Sequence, residues 1–250
     1  MTKKPVALVT GANKGIGRQI AADLAGQGFT VLIGSRNLTR GETAAAEIGS
    51  NAQAVQLDVT DQNSIDAAAA HIRQAFGRLD VLVNNAGVSH AGKPGAGFPT
   101  DAMATNLLTD APMESIRHVW EVNVFGVIAV TQAMLPLLRN ALAARIVNMG
   151  STGGSLGWNS TPGNTHRAMF GNYSASKSAA HAVSLGFAFA LEQEGIKVNT
   201  ACPGHTSTGL NNFSGARSVK DGAREAVRLA TLGDDGRTGT FSDENGTVAW

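Results

Sequence analysis

Val6-Ala7-Leu8-Val9-Thr10-Gly11-Ala12-Asn13-Lys14-Gly15-Ile16-Gly17 decides the fold. Its first four residues form a short continuous apolar run, the pattern of a parallel strand buried on both faces, and the run passes directly into a glycine-rich turn. Glycines at 11, 15 and 17 permit a tight turn and leave room for a phosphate against the backbone. They also let a helix begin where its free N–H groups and dipole attract anions. That helix is expected to run to about Gln27. The spacing is GxxxGxG, so the generic GxGxxG fingerprint is not matched literally, and a ligand-free strand-to-helix turn would look the same.

Outward from this turn the same strand-then-helix unit recurs. Strands are expected at 30–34, 54–57, 81–83, 145–149 and 197–202, with a short last one at 238–242. Helices are expected at 41–48, 62–76, 113–138, 173–194 and 219–232. Strands alternating with helices read as a parallel α/β sheet, and no linker divides the chain, so a single domain is expected over 1–250. In a doubly wound sheet the end of the second strand lies beside an adenosine ribose. There the chain has Arg36 and Arg40, with Lys14 nearby, and no acid. Positive charge suits a 2′-phosphate and so favours NADP over NAD, although two arginines at a helix start also read as solvated charges. Asp58, ending the third strand, reads either as an acceptor for an adenine amino group or as part of a helix-entry turn with Thr60, Asp61 and Ser64.

Composition narrows the partners. The 250 residues are 16% charged with a formal net charge of +1, and the longest basic run is Lys3-Lys4. Neither a nucleic acid nor a membrane surface is indicated, and a small, nearly neutral ligand fits better. No signal-peptide pattern opens the sequence and no uninterrupted apolar run reaches spanning length, so a cytoplasmic location is expected. Cys202 is the only cysteine, which excludes an intrachain disulfide and a cysteine-based zinc site.

The chemistry sits in Tyr173-Ser174-Ala175-Ser176-Lys177. Tyr173 is the only tyrosine, and Lys177, four residues on, shares its helix face. An ammonium beside a phenol lowers its pKa and makes it a usable general acid/base. Ser151 ends the fifth strand, at the carboxyl edge where such sheets bind ligands. Asn123, among apolar neighbours in mid-helix, reads as structural glue or as a functional relay. The long 88–112 loop, the 152–172 loop and the polar 205–217 segment are candidate walls of a pocket, the last with the character of a lid. Phe98, Trp158, Phe170 and Phe213 either line an apolar pocket or anchor their loops. His166, a lone histidine in a polar loop, reads as solvated rather than catalytic.

Taken together, TGANKGIG at 10–17, Asp58-Val59, Asn84-Asn85-Ala86-Gly87, Asn123, Ser151, Tyr173 with Lys177, Asn199, and Pro203-Gly204 followed by threonines resemble the short-chain dehydrogenase/reductases over nearly the whole chain. Asn13-Lys14, the 35–41 stretch and the closing Thr-Gly-Thr-Phe-Ser-Asp-Glu-Asn-Gly are similar to the NADPH-dependent carbonyl reductases among them. The resemblance implies an α/β fold: one doubly wound, Rossmann-type sheet of about seven mostly parallel strands with helices on both faces. It implies that NADPH is held by Gly11, Asn13, Lys14, Gly15, Ile16, Gly17, Arg36, Arg40, Asp58, Val59, Asn85, Ala86, Gly87, Tyr173, Lys177, Pro203, Gly204 and Thr206. Asn13, Arg36 and Arg40 would take the 2′-phosphate, and Asn85 would chiefly bridge strands. It further implies that Tyr173 protonates a carbonyl oxygen and that Ser151 hydrogen-bonds it. Lys177 would lower the Tyr173 pKa and bind the nicotinamide ribose, while Asn123 would hold a water for proton relay. The expected substrate is an aldehyde or ketone. Oxidation of a secondary alcohol by the same site, or dinucleotide sensing without turnover, are the alternatives. Twenty-one residues separate Ser151 from Tyr173, longer than the family's usual spacing. That loop adjoins the helix relatives use for dimer contacts, which leaves a homo-oligomer open.

Overall fold

The computed structural model describes residues 4–90 and 107–250. Phe98 and most of the 88–112 loop, named above as pocket candidates, lie outside the described residues. The chain begins with β1 (Val6–Thr10), α1 (Gly15–Gly26), β2 (Thr30–Ser35), α2 (Leu38–Ile48), β3 (Ala52–Gln56), α3 (Gln62–Phe76) and β4 (Val81–Asn84). It continues with α4 (Met113–Trp120), a π-helical turn (Glu121–Phe125), α5 (Gly126–Leu138), β5 (Arg145–Met149), α6 (Leu156–Ser160) and α7 (Asn172–Leu191). The last elements are β6 (Lys197–Ala201), α8 (Val219–Ala230), β7 (Phe241–Asp243) and β8 (Gly246–Thr247).

These strands form one sheet in the order β3-β2-β1-β4-β5-β6-β7-β8. Every pairing from β3 to β7 is parallel, and β8 returns antiparallel to β7. The sheet therefore has eight strands among the described residues, one more than the seven expected. The extra one is the two-residue β8, too short to leave a period in the sequence.

Strand alternation builds two cores. Val6, Leu8, Leu32, Leu82, Ile146 and Val198 face α3, α5 and α7. Their neighbours Ala7, Val9, Val31, Ile33, Val83 and Val147 face α1, α2 and α8. Each fully buried aliphatic side chain contributes roughly 1.5–3 kcal/mol relative to exposure, and both faces need it, which is why the central strands read as unbroken apolar runs.

Local chemistry moves several expected boundaries. α2 starts at Leu38 rather than Gly41, because the Asn37 side chain caps it by accepting the Arg40 N–H at 3.0 Å. β7 starts at Phe241 rather than 238, because the Asn199 Oδ1 accepts both the Thr240 N–H and its hydroxyl in place of a ladder bond. The 152–172 loop contains α6 and two 3-10 turns. Pro136 lies in the last turn of α5, and the 113–138 helix widens into a π-helical turn at 121–125 while staying continuous. That run also corrects the reading on spanning length. Asn123, Thr131 and Gln132 break it as a string of apolar letters, yet its mean hydropathy is 1.5 over a window half buried inside the fold. It is a core helix: Val122, Val127, Val130, Met134 and Leu137 are all packed inside.

Beneath the carboxyl ends of the central strands runs a buried polar chain. Asn84 Nδ2 donates to Thr131 Oγ1 at 3.0 Å and to Asn148 Oδ1 at 2.8 Å, and Asn148 Nδ2 donates to Ser184 Oγ at 2.9 Å. It ties α5, β4, β5 and α7 together. Asn148→Ala would leave buried amide and hydroxyl groups without partners, and we expect a loss of roughly 2–3 kcal/mol in urea unfolding. A loss below about 0.5 kcal/mol would mean that this chain of bonds does not hold the helices to the sheet.

Candidate active site

The sheet order reverses between β1 and β4, and the crevice at such a switch point is where doubly wound sheets bind ligands. Its two walls approach within backbone contact. Gly11 adopts φ 63°, and a Cβ there would lie 3.0 Å from the Ala86 Cα. A Cβ on Gly17 would meet the Asn85 amide and lie 2.9 Å from the Gly11 carbonyl. Asn85 Nδ2 donates to the Thr10 and Gly11 carbonyls at 2.8 and 3.3 Å, so its role is the strand-bridging one. Thr10 Oγ1 accepts the N–H groups of Asn85 and Ala86, both at 2.9 Å.

Above this junction the glycine-rich turn is open. Gly15 has φ 57°, and its nearest neighbour across the space is the Thr208 methyl, 3.7 Å from where a Cβ would be. Lys14 precedes the α1 N-terminus in extended backbone without a side-chain cap, which leaves the first N–H groups of α1 available. Asn13 and Ile16 are part-buried beside it, and Arg36 and Arg40 are exposed at the end of β2, with no salt bridge among the described residues. An anion-binding turn beside two free guanidinium groups fits a dinucleotide carrying an extra phosphate. Asp58 uses Oδ1 to accept the N–H and hydroxyl of Thr60, so the turn reading is the one realised for that oxygen. Val59 packs against Gly126 at the start of α5. Thr206 corrects the expected cofactor set. It is 4% exposed and its hydroxyl donates to the Pro203 carbonyl at 2.9 Å, so it faces inward against Gly222. Thr208, two residues on, is the threonine beside the glycine turn. Alternation along an extended segment was the available signal.

The catalytic candidates converge at the carboxyl edge of β5. Tyr173 lies in the first turn of α7, and Ser151 is the side chain whose influence opposes the upward shift of its phenol. Ser151 Oγ also accepts the Gly153 N–H at 3.1 Å. Lys177 lies on the same face, with Nζ 5.9 Å from the centroid of the Tyr173 ring, and donates to the Met149 carbonyl at 2.8 Å. The expected lowering of the Tyr173 pKa by Lys177 is not realised here. Burial pushes the phenol up to about 12, with Ser151 opposing it, while the Lys177 ammonium donates to the Met149 carbonyl. Burial also brings Lys177 down to about 8. Gly87 adjoins Lys177 and Asn123: a Cβ there would lie 3.3 Å from Asn123 Oδ1 and 3.7 Å from Lys177 Nζ.

Asn123, at the centre of the π-helical turn, is structural glue in its side chain. Its Oδ1 accepts the Val88 N–H, and its Nδ2 donates to the Val88 carbonyl and to Ser176 Oγ, all within 3.0 Å. A relay water would therefore find the backbone of this turn more available than the amide.

The 205–217 segment closes on itself. Ser207 N donates to the Arg217 carbonyl at 2.9 Å and Arg217 N to the His205 carbonyl at 3.1 Å, while Arg217 pairs with Glu244. Gly204, at φ 66°, turns the chain over Arg217. At the tip Asn212 and Phe213 take φ 52° and 59°, and Ser89 Oγ donates to the Leu210 carbonyl at 2.8 Å, which lays the lid beside the wall after β4. Phe213 and Trp158 are both exposed, and Trp158 stacks on His166 within its own loop at 5.2 Å between ring centroids. His181 was not foreseen: on α7 one turn beyond Lys177, its Nε2 accepts the Ser151 N–H at 3.3 Å.

Comparison with known proteins agrees with this geometry. A family model described as short chain dehydrogenase matches residues 5–218. The short-chain dehydrogenase anuI of Penicillium roqueforti (strain FM164) is 36% identical over 240 residues, covering 92% of this chain and 90% of that protein. The structure of salutaridine reductase from Papaver somniferum superposes with a TM-score of 0.78 at 28% identity, covering 95% of this chain and 99% of that one. That of a 3-ketoacyl-(acyl-carrier-protein) reductase from Brucella melitensis, complexed with NADH, gives 0.77 at 28% identity, with 96% of each chain covered. Motifs, sheet order and relatives coincide, and the chain belongs to the short-chain dehydrogenase/reductase family.

Proposed function

We propose that this oxidoreductase reduces an aldehyde or ketone to an alcohol with NADPH, Tyr173 acting as the general acid. The observation that carries the reading is the convergence of Ser151, just past the end of β5, with Tyr173 and Lys177 on one face of α7, beside the switch-point crevice. Bound NADPH would supply the hydride. The glycine turn and the α1 N-terminus would hold its pyrophosphate, and Asn13, Arg36 and Arg40 its 2′-phosphate. The Brucella relative holds NADH, so the fold does not choose the cofactor; the exposed arginine pair favours NADPH in this chain.

Each side chain then has one task. Negative charge grows on the carbonyl oxygen as the carbon accepts hydride. Ser151 offers that oxygen a hydrogen bond, and Tyr173, protonated at neutral pH, gives it a proton. Lys177, leaving the Met149 carbonyl for the ribose and phenolate, restores the proton through water held at Asn123. A phenol pushed up by burial holds its proton at neutral pH, as a proton donor must.

Consumption of NADPH and of NADH, followed by absorbance with a panel of aryl ketones, diketones and quinones, tests this reading. We expect NADPH to be preferred and Tyr173→Phe to lower kcat by about 10²–10⁴-fold. Arg36→Ser with Arg40→Ser should raise KM for NADPH by about 10–100-fold and leave NADH unaffected. Equal use of both cofactors by the wild type would sink the phosphate assignment alone.

Lys177 makes a separate, pH-dependent prediction. Its folded pKa of about 8 lies below the ordinary 10.5, so between those values the unfolded chain binds more protons and stability rises with pH. Below pH 8 the buried ammonium costs roughly 3 kcal/mol. Thermal melts should therefore show wild type gaining on Lys177→Met between pH 7 and pH 10. Parallel curves would mean that the lysine is not desolvated.

A further inference from the structure

His181 is the buried titratable group that the mechanism above leaves unused. It is 3% exposed, on the same face of α7 as Tyr173 and Lys177, and it reaches across to the end of β5. Its Nε2 accepts the backbone N–H of Ser151 at 3.3 Å. That bond fixes the tautomer: Nε2 carries no proton, so the neutral ring bears it on Nδ1, which has no partner among the described residues. A buried donor left unpaired is costly, so the ring is held in place by something else. Its neighbours supply the reason. Phe241 packs on it at 4.4 Å and Trp250 at 5.9 Å between ring centroids. Gly150 completes the fit, since a Cβ there would lie 2.8 Å from Nε2 and 3.0 Å from the Phe241 ring.

From this geometry we infer that His181 is the positioning residue for Ser151, an acceptor that fixes the backbone from which the serine hydroxyl meets both Tyr173 and the substrate oxygen. The inference rests on the reductase reading and adds to it a residue that touches neither substrate nor cofactor. The role requires a neutral ring, because an imidazolium would present an N–H to the Ser151 N–H and lose the bond. The charged group facing the ring is Lys177, one turn away on α7. β5 presents the Gly150-Ser151 backbone, β6 presents Thr200, and β7 and the chain beyond it present Phe241 and Trp250. Burial, reinforced by Lys177, brings the His181 pKa down to about 4, which keeps it neutral across the working range.

The test compares His181→Leu, which removes the acceptor at similar volume, with His181→Gln, whose amide oxygen can still accept. Kinetics are measured with NADPH and whichever carbonyl the wild type turns over. His181→Leu should lower kcat by about 10–100-fold, the scale of a small misplacement of a reacting group, with KM for NADPH within about twofold. His181→Gln should recover to within about threefold of wild type. Should the leucine variant fail to fold, His181→Asn, which keeps an amide but falls short of Ser151, takes its place with the same expectation. Melts from pH 6.5 to 4.5 provide a second readout. The folded pKa lies below the unfolded one, so wild type loses stability as pH falls through this window, and His181→Gln should lose less. Wild-type kcat in His181→Leu, or equal impairment of the leucine and glutamine variants, would overturn the positioning role while leaving the reductase reading intact. A wild type inert toward every carbonyl would overturn both.

Discussion

The close approach of two loops at the carboxyl ends of β1 and β4 constrains everything else in this molecule. Gly11 and Gly17 bring the first βα turn against Asn85 and Ala86, and the Thr10 hydroxyl accepts the N–H groups of both residues at this contact. A side chain at either glycine would force the walls of the crevice apart. The parallel sheet makes the crevice possible, but backbone-to-backbone contact sets its width.

From that contact the catalytic side is built by the same device. Gly154 lets its loop lie on the Lys177 backbone, and Gly150 lets His181 reach the end of β5. Asn123 grips both backbone groups of Val88 and so couples the wall after β4 to the helix that precedes β5. The reacting groups thus stand on an element fixed from three sides: by the buried Asn84–Asn148–Ser184 chain below, by glycine contacts at the strand ends, and by Asn123 beside them. Lys177 and His181, both buried and both unfavourable when charged, are held there by this surrounding structure.

Much of this was legible in the sequence, for reasons that can be named. Central strands buried on both faces must be apolar throughout, so β1, β2, β4 and β5 announce themselves. Tyr173 and Lys177 at i and i+4 on a helix must share a face whatever surrounds them. What was not legible depends on tertiary partners. The Asn199 side chain displaces the start of β7. A lysine expected to meet a phenol turns to a strand carbonyl instead. Thr206 and Thr208 differ only in which side of an extended segment they occupy, and the choice is made by Gly222 of α8. His181 carries no motif, because its function lies in a backbone N–H contributed from thirty residues away.

The π-helical turn at Glu121–Phe125 has a geometric meaning beyond its contact with Val88. A wide turn takes up one more residue than an α-helical one, and each residue in an α-helix advances the side chains by roughly 100° about the axis. The extra residue therefore acts as a phase shifter between two amphipathic segments. α4 and α5 can each present an apolar stripe to a different surface while remaining one continuous rod. Deleting a single residue there would keep the rod and its hydrogen bonds but turn Val130, Met134 and Leu137 away from the sheet, so the length of this turn is coded as strictly as its composition.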